Sequence, residues 1–145
     1  MEQFRFPLQK LLDIRADKEE QSKLRLMEAQ RQKKTAETKL NELQGSYDRY
    51  KVFDRSMSTA ERKMKNNYLV ALDMGIKTAK DELENKTVVV DNCRKDLMVK
   101  QVERKTVEIV KDKRFEAFKK EQNRKEQVQN DEFALYSFMR NIERR

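Results

Sequence analysis

Histidine and tryptophan are missing altogether, and 145 residues include only two glycines, one proline and one cysteine. Without histidine, and with Cys93 alone, no set of nitrogen and sulfur ligands exists for a transition metal, and no acidic cluster sits among other ligands. A single cysteine also excludes an internal disulfide, which fits a reducing compartment. Two glycines cannot build a phosphate-cradling loop, and the strand, glycines and Lys-Ser/Thr of a nucleotide-binding loop occur nowhere together. Asp131-Glu132 is a carboxylate pair in name only, because neighbours on a helix point in different directions and two-carboxylate chemistry needs a pocket. The expectation is therefore no enzyme, no cofactor and no metal. No apolar run approaches the roughly 20 residues that span a bilayer, and no secretory signal opens the chain. A cytosolic setting is expected.

What is abundant is charge. Charged residues make up 41% of the chain and hydrophobic ones 37%, with a mean hydropathy of −1.07. That is too little apolar volume for a large three-dimensional core. It is not the pattern of a disordered chain either, because Leu, Val, Met and aromatic residues recur at helical intervals. Long helices sharing a narrow apolar seam satisfy both facts. Val88-Val89-Val90, the longest β-branched run, reads as part of a helix rather than a buried strand. Cys93 lies on the apolar register and reads as a small core residue, since a reactive thiolate needs an electropositive, accessible site.

The only plausible reversal lies between Leu43 and Ala79. Phe53 to Ser58 interrupts the helix formers, and Ser58-Thr59-Ala60-Glu61 reads as a capping box that starts a second helix. Residues 2 to 6 read as a short extended lead-in, and Pro7 suits a first helical turn. From Leu8 through Leu12, Ser22, Leu26, Ala29, Ala36, Leu40, Leu43, Tyr47 and Tyr50, one three-four register persists. Arg15, Glu19 and Lys33 occupy the same register, and polar residues on a seam fix pairing at a cost in stability, so the first helix is expected to be held less tightly between about Arg15 and Gln21. After Ser58 the register resumes through Leu72, Ile76, Ala79, Leu83, Val90, Cys93 and Leu97, then spreads around the helix before Phe115 and Phe118.

The fold class expected is all-α: two long helices forming an antiparallel coiled-coil hairpin, the second longer than the first. Their expected bounds are about 7–52 and about 59–140, with the connection at about 53–58, in a single domain over 1–145. At ~1.5 Å per residue the arms measure on the order of 65 and 120 Å, so the first covers the second to about Arg104 and leaves the last forty or so residues uncovered. The overhang ends in Phe133, Tyr136, Phe138 and Met139, which read as a docking surface for another protein.

Lys and Arg number 34 against 26 acidic residues, a formal charge of +8. Such a surplus raises nucleic acid or membrane as partners. The distribution favours a solvated helix surface: both arms mix the signs, and acid-first pairs four apart, such as Glu19/Lys23, Asp73/Lys77 and Glu121/Lys125, each add roughly 0.2–0.5 kcal/mol to a helix. No basic run sits beside stacking aromatics, so direct nucleic-acid binding is not expected.

The opening Phe4-Arg5-Phe6-Pro7-Leu8-Gln9-Lys10-Leu11-Leu12-Asp13-Ile14-Arg15 resembles that of the FliJ family, small coiled-coil proteins of the bacterial flagellar export apparatus. Leu43, Tyr47 and Tyr50 before the bend, Tyr68, Leu69, Leu72, Ile76 and Ala79 after it, and the late Asp131-Glu132-Phe133-Ala134 extend the likeness over nearly the whole chain. The resemblance implies a hairpin similar to the central stalk of rotary ATPases, seated in the hexameric ring of the export ATPase, activating it, and contacting the membrane export gate protein and export chaperones. It also implies a cytoplasmic protein held peripherally at the inner face of the cell membrane through the gate. By that likeness the gate-facing surface comprises Leu43, Tyr47, Tyr50, Tyr68, Leu72, Gly75 and Ala79. Here Gly75 stands for the family's small residue, and Ser46 falls where an aromatic can stand, with Tyr47 supplying a ring from the next position. The ATPase-facing residues are then Phe4, Phe6, Leu8, Phe133, Tyr136, Phe138 and Met139. For Phe4, Phe6 and Leu8 the other reading is packing against Val107 to Phe118. Other classes compatible with the sequence are a stalk of the related injectisome, a generic coiled-coil scaffold, and a basic nucleic-acid-binding helix pair.

Overall fold

The computed structural model describes residues 2–145. It holds two α-helices and, among the described residues, no strand: α1 is Gln9–Tyr50, 42 residues, and α2 is Thr59–Glu143, 85 residues. They pack against each other as an all-helical hairpin whose second helix is the longer. Nothing after Pro7 removes a backbone donor, and Gly75 sits in α2 with helical backbone, so α2 runs unbroken. Val88, Val89 and Val90 lie within it as the sequence predicts. The α2 start is the expected capping box. The Ser58 N–H donates to Glu61 Oε2 at 3.3 Å, and the Glu61 N–H donates to Ser58 Oγ at 3.2 Å.

The chain divides into two compact units, one of Lys18–Gln101 and one of Met1–Asp17 with Val102–Arg145. In the unit of Lys18–Gln101 the buried residues are those of the three-four register: Ala29, Ala36 and Leu40 from α1, and Leu69, Leu72, Ile76, Ala79 and Val90 from α2. Leu40, Ile76 and Ala79 form its tightest cluster, with Leu43, Tyr47 and Leu83 against it. The antiparallel register is fixed by specific pairs. Ser22 Oγ donates to Asp96 Oδ2 at 2.8 Å, Lys86 Nζ to Gln32 Oε1 at 3.1 Å, and the Tyr50 and Tyr68 rings meet at 5.1 Å. The residue numbers of each pair add to the same total, so no bulge or stutter intervenes between them. Two polar seam positions are buried, Glu19 at 4% and Ser22 at 2% exposure, and Glu19 also pairs with Lys23 at 3.6 Å, while Arg15 and Lys33 are half-buried.

The unit of Met1–Asp17 with Val102–Arg145 is built differently. Residues 2–6 are non-helical, and the Gln9 N–H donates to the Phe6 carbonyl at 3.1 Å as the chain turns into α1. Phe6 and Val107 are its buried apolar residues. Arg15 Nη1 donates to the Glu103 carbonyl at 2.8 Å, and Lys111 Nζ to Gln9 Oε1 at 2.6 Å. The lead-in continues along α2: Phe4 meets Phe115 and Phe118, and Glu2 accepts from Gln122 at 3.1 Å and faces Lys125 at 3.5 Å. This corrects the expected overhang, because cover extends to Lys125 rather than stopping near Arg104. A non-helical chain advances ~3.3 Å per residue where a helix advances ~1.5 Å, so about seven lead-in residues span roughly fifteen of α2.

Candidate functional site

Around the bend, the seven residues expected to face the gate separate by burial. Leu72 and Ala79 are 8% and 2% exposed and belong to the core, while Leu43 and Tyr47 pack half-buried against the Leu40, Ile76 and Ala79 cluster. Gly75 lies across from Leu43, close enough that an added Cβ would stand 3.8 Å from Leu43 Cδ1. Tyr50 and Tyr68 are what the surface offers: 48% and 46% exposed, they meet edge to face at 83°. One ring sets its edge against the face of the other, and about half of each residue stays exposed.

The connection adds residues that the sequence reading treated only as a turn. Phe53 is 44% exposed and lies under Lys65 Nζ at 5.2 Å, an arrangement that holds the ammonium over the ring face. The same Nζ donates to the Val52 carbonyl. The Asp54 carbonyl accepts from the Met57 N–H at 3.2 Å, and Asp54 Oδ1 accepts from the Ser56 N–H at 3.2 Å. The Ser56 backbone N–H and then its side chain hold the Asp54 carboxyl below its ordinary range. Val52 and Phe53, two exposed apolar residues side by side in the connection, were the signal that could have marked this segment as more than a spacer.

The termini carry the second set. Phe6 is buried with Arg114 over its ring at 5.8 Å, and Phe4 is half-buried between Phe115 and Phe118. These contacts are the packing that the sequence offered as the other reading of Phe4 and Phe6. Leu8 is 39% exposed. Phe133, Tyr136, Phe138 and Met139 are all exposed on α2, with Phe133 and Tyr136 bordering a shallow groove with Gln129 and Glu132. The two groups are not brought together: the lead-in contacts end at Lys125, short of Phe133.

No group of three or more potential ligand side chains gathers to hold a metal ion among the described residues. Cys93 is half-buried beside Ser22, Arg25, Val89 and Asp96. Among the described residues, no helix is long and apolar enough to cross a membrane.

Against known families, the model described as flagellar FliJ protein matches residues 4–143. The chain belongs to the FliJ family. The match spans the lead-in, both helices and the bend, so the N-terminal Phe4-Arg5-Phe6 and the late Phe133 fall inside it. Membership makes this a coiled-coil protein related to flagellar export, of a family that is not one of enzymes. No curated protein matches the chain, and no solved structure does.

Proposed function

We infer that this FliJ-family chain is a stalk of the flagellar export apparatus that links the hexameric export ATPase to the cytoplasmic part of the membrane export gate. In this reading it activates the ATPase and assists chaperone and substrate traffic. It works on the cytoplasmic side and reaches the membrane peripherally through the gate. The observation that carries the reading is the family match over residues 4–143. Two features of the geometry support it. The bend leaves the edge-to-face Tyr50 and Tyr68 half exposed over a packed core, which suits a small, stiff contact. The last turns of α2 leave Phe133, Tyr136, Phe138 and Met139 uncovered, which suits insertion into a protein cavity.

The test is capture of the full chain on the export ATPase and, separately, on the gate's cytoplasmic domain, with ATPase activity and ring assembly read in the same mixtures. Deleting residues after Val128 is expected to abolish ATPase association and leave gate binding measurable. Tyr50→Ala and Tyr68→Ala are expected to weaken gate binding and spare the ATPase. Loss of both partners together on the deletion would overturn the assignment of separate surfaces, and absence of binding and stimulation would reduce the protein to a coiled coil of the export family.

A further inference from the structure

The connection between the helices combines two features that the stalk reading does not use. Val52 and Phe53, side by side, are 66% and 44% exposed, and from Asp48 to Met64 every residue but Met57 is exposed, so the reversal stands clear of the core. Around this apolar pair, residues 48–65 carry six Lys and Arg against three Asp and Glu, a net +3 of the chain's +8. The three carboxylates are already engaged: Asp48 pairs with Lys51 at 3.3 Å, Asp54 accepts from the Ser56 N–H at 3.2 Å, and Glu61 accepts from the Ser58 N–H at 3.3 Å. Arg49 and Arg62 bond neutral oxygens instead, the Ser46 hydroxyl at 3.2 Å and the Asp54 carbonyl at 3.5 Å, and Arg55 and Lys63 are exposed.

Apolar side chains on a protruding turn, flanked by cations from both helix ends, match an anionic lipid surface, where the cations meet lipid phosphates and the apolar pair enters the headgroup boundary. The backbone of the turn suits that medium. The Val52 carbonyl accepts from Lys65 Nζ and the Asp54 carbonyl from the Met57 N–H at 3.2 Å, so both are bonded without water. A protein hot spot is built otherwise, from anchors seated in a packed pocket. Long exposed cations around an exposed pair adapt to mobile lipid headgroups. We propose that the bend is a membrane-contacting tip that binds the surface of an anionic bilayer directly, with Val52 and Phe53 entering the boundary and Arg49, Arg55, Arg62 and Lys63 meeting the headgroups. Neither signal alone gives stable attachment, so the tip needs both. This contact goes beyond the gate reading and does not rest on it: Tyr50 and Tyr68 stay unaltered in its test, which uses the chain and vesicles alone.

The experiment is cosedimentation of the full chain with vesicles of phosphatidylcholine alone and with about 30% phosphatidylglycerol, with circular dichroism on every variant. Binding is expected on the anionic vesicles only and falls as salt is raised from about 0.05 to about 0.5 M. Arg49→Gln with Arg55→Gln and Lys63→Gln is expected to lose about tenfold or more, and so is Val52→Ser with Phe53→Ser, which leaves the charge unchanged. The same charge removed away from the bend, by Lys105→Gln with Lys113→Gln and Lys120→Gln, is expected to change binding by less than about threefold. Because the chain holds no tryptophan, Phe53→Trp reports on the turn alone, and its emission is expected to shift to the blue on anionic vesicles and to be quenched by lipids brominated high on the acyl chain. Equal losses on the two charge triples, or an unshifted tryptophan on a chain that sediments, would overturn the proposal. So would a helical wild type that ignores anionic vesicles, which would leave the turn to an acidic protein surface.

Discussion

Three consecutive valines in α2 offer a test in which chemistry is constant and position alone varies. Val88 and Val89 are 52% and 46% exposed, whereas Val90 is 1% exposed. Truncation to Ala removes the same two methyl groups at each site. At Val90 their full burial contributes ~0.8 kcal/mol each, and the hole left behind adds to the loss. Against this, Ala is the better helix former by about half a kcal/mol. The net expectation is a loss of about 1.5–2 kcal/mol for Val90→Ala. At Val88 and Val89 roughly half the burial is lost, with no cavity, so the helix-propensity gain offsets most of it and the change should fall within about 0.5 kcal/mol of zero. Urea denaturation followed by circular dichroism at the helix band, at constant slope, reads the difference directly. Equal midpoint shifts at all three positions would mean that α2 is not rotated as described, and a Val90→Ala variant as stable as the wild type would remove the seam from the account of stability.

Other consequences are as direct. Ser58→Ala removes the acceptor of the Glu61 N–H and is expected to cost about 1 kcal/mol at the start of α2, seen as faster amide exchange over residues 59–62 with little change beyond. Gly75→Ala adds a Cβ in ordinary contact with Leu43 inside a helix, so it should stabilise the unit of Lys18–Gln101 by up to about 1 kcal/mol, raising its melting temperature. The Glu28 carboxyl accepts from Arg31 Nε and Nη2 and from Gln32, and is held down to about 2. Because its folded value lies below the ordinary one, the contribution of the pair is present above pH 4.5 and is lost as pH falls towards 2. Carboxyl titration by NMR should show the Glu28 midpoint rising towards the ordinary carboxylate range in Arg31→Gln, and an unmoved midpoint would deny the contact.

The fold was legible because each local signal pointed the same way. The three-four spacing from Leu26 to Tyr50 and from Leu72 to Leu97 named the seam, and Ser58 with Glu61 named the start of α2. Less was legible where geometry departs from helical rise. The expected cover counted the first helix alone: Gln9 already meets Lys111, beyond Arg104, and the extended lead-in carries Glu2 on to Lys125. Ser22 was placed on the seam, but its partner Asp96 could not be read from spacing, because the choice of facing residue depends on where within the connection the chain reverses. The candidate surfaces were legible as composition, in the clustering of Tyr47, Tyr50 and Tyr68, and not as exposure. That Tyr50 and Tyr68 meet edge to face and stay half exposed is visible only in the structure. Phe53 was read only as the start of the reversal, because its cation partner Lys65 lies about two helical turns into α2 and no spacing rule joins them.

The constant register of Ser22 with Asp96, Gln32 with Lys86 and Tyr50 with Tyr68 also limits how this chain can change in length. Deleting one residue from either helix between these pairs would turn every later seam position by about 100° away from its partner. Removing seven residues from one helix alone would keep the apolar face but slide Ser22 past Asp96 by ~10 Å. Tolerated change in the unit of Lys18–Gln101 must therefore come as paired heptads, one from each helix at matching positions. Insertions confined to the exposed connection after Tyr50 escape that rule. Relatives of different length are accordingly expected to differ by coupled gains and losses, or at the bend.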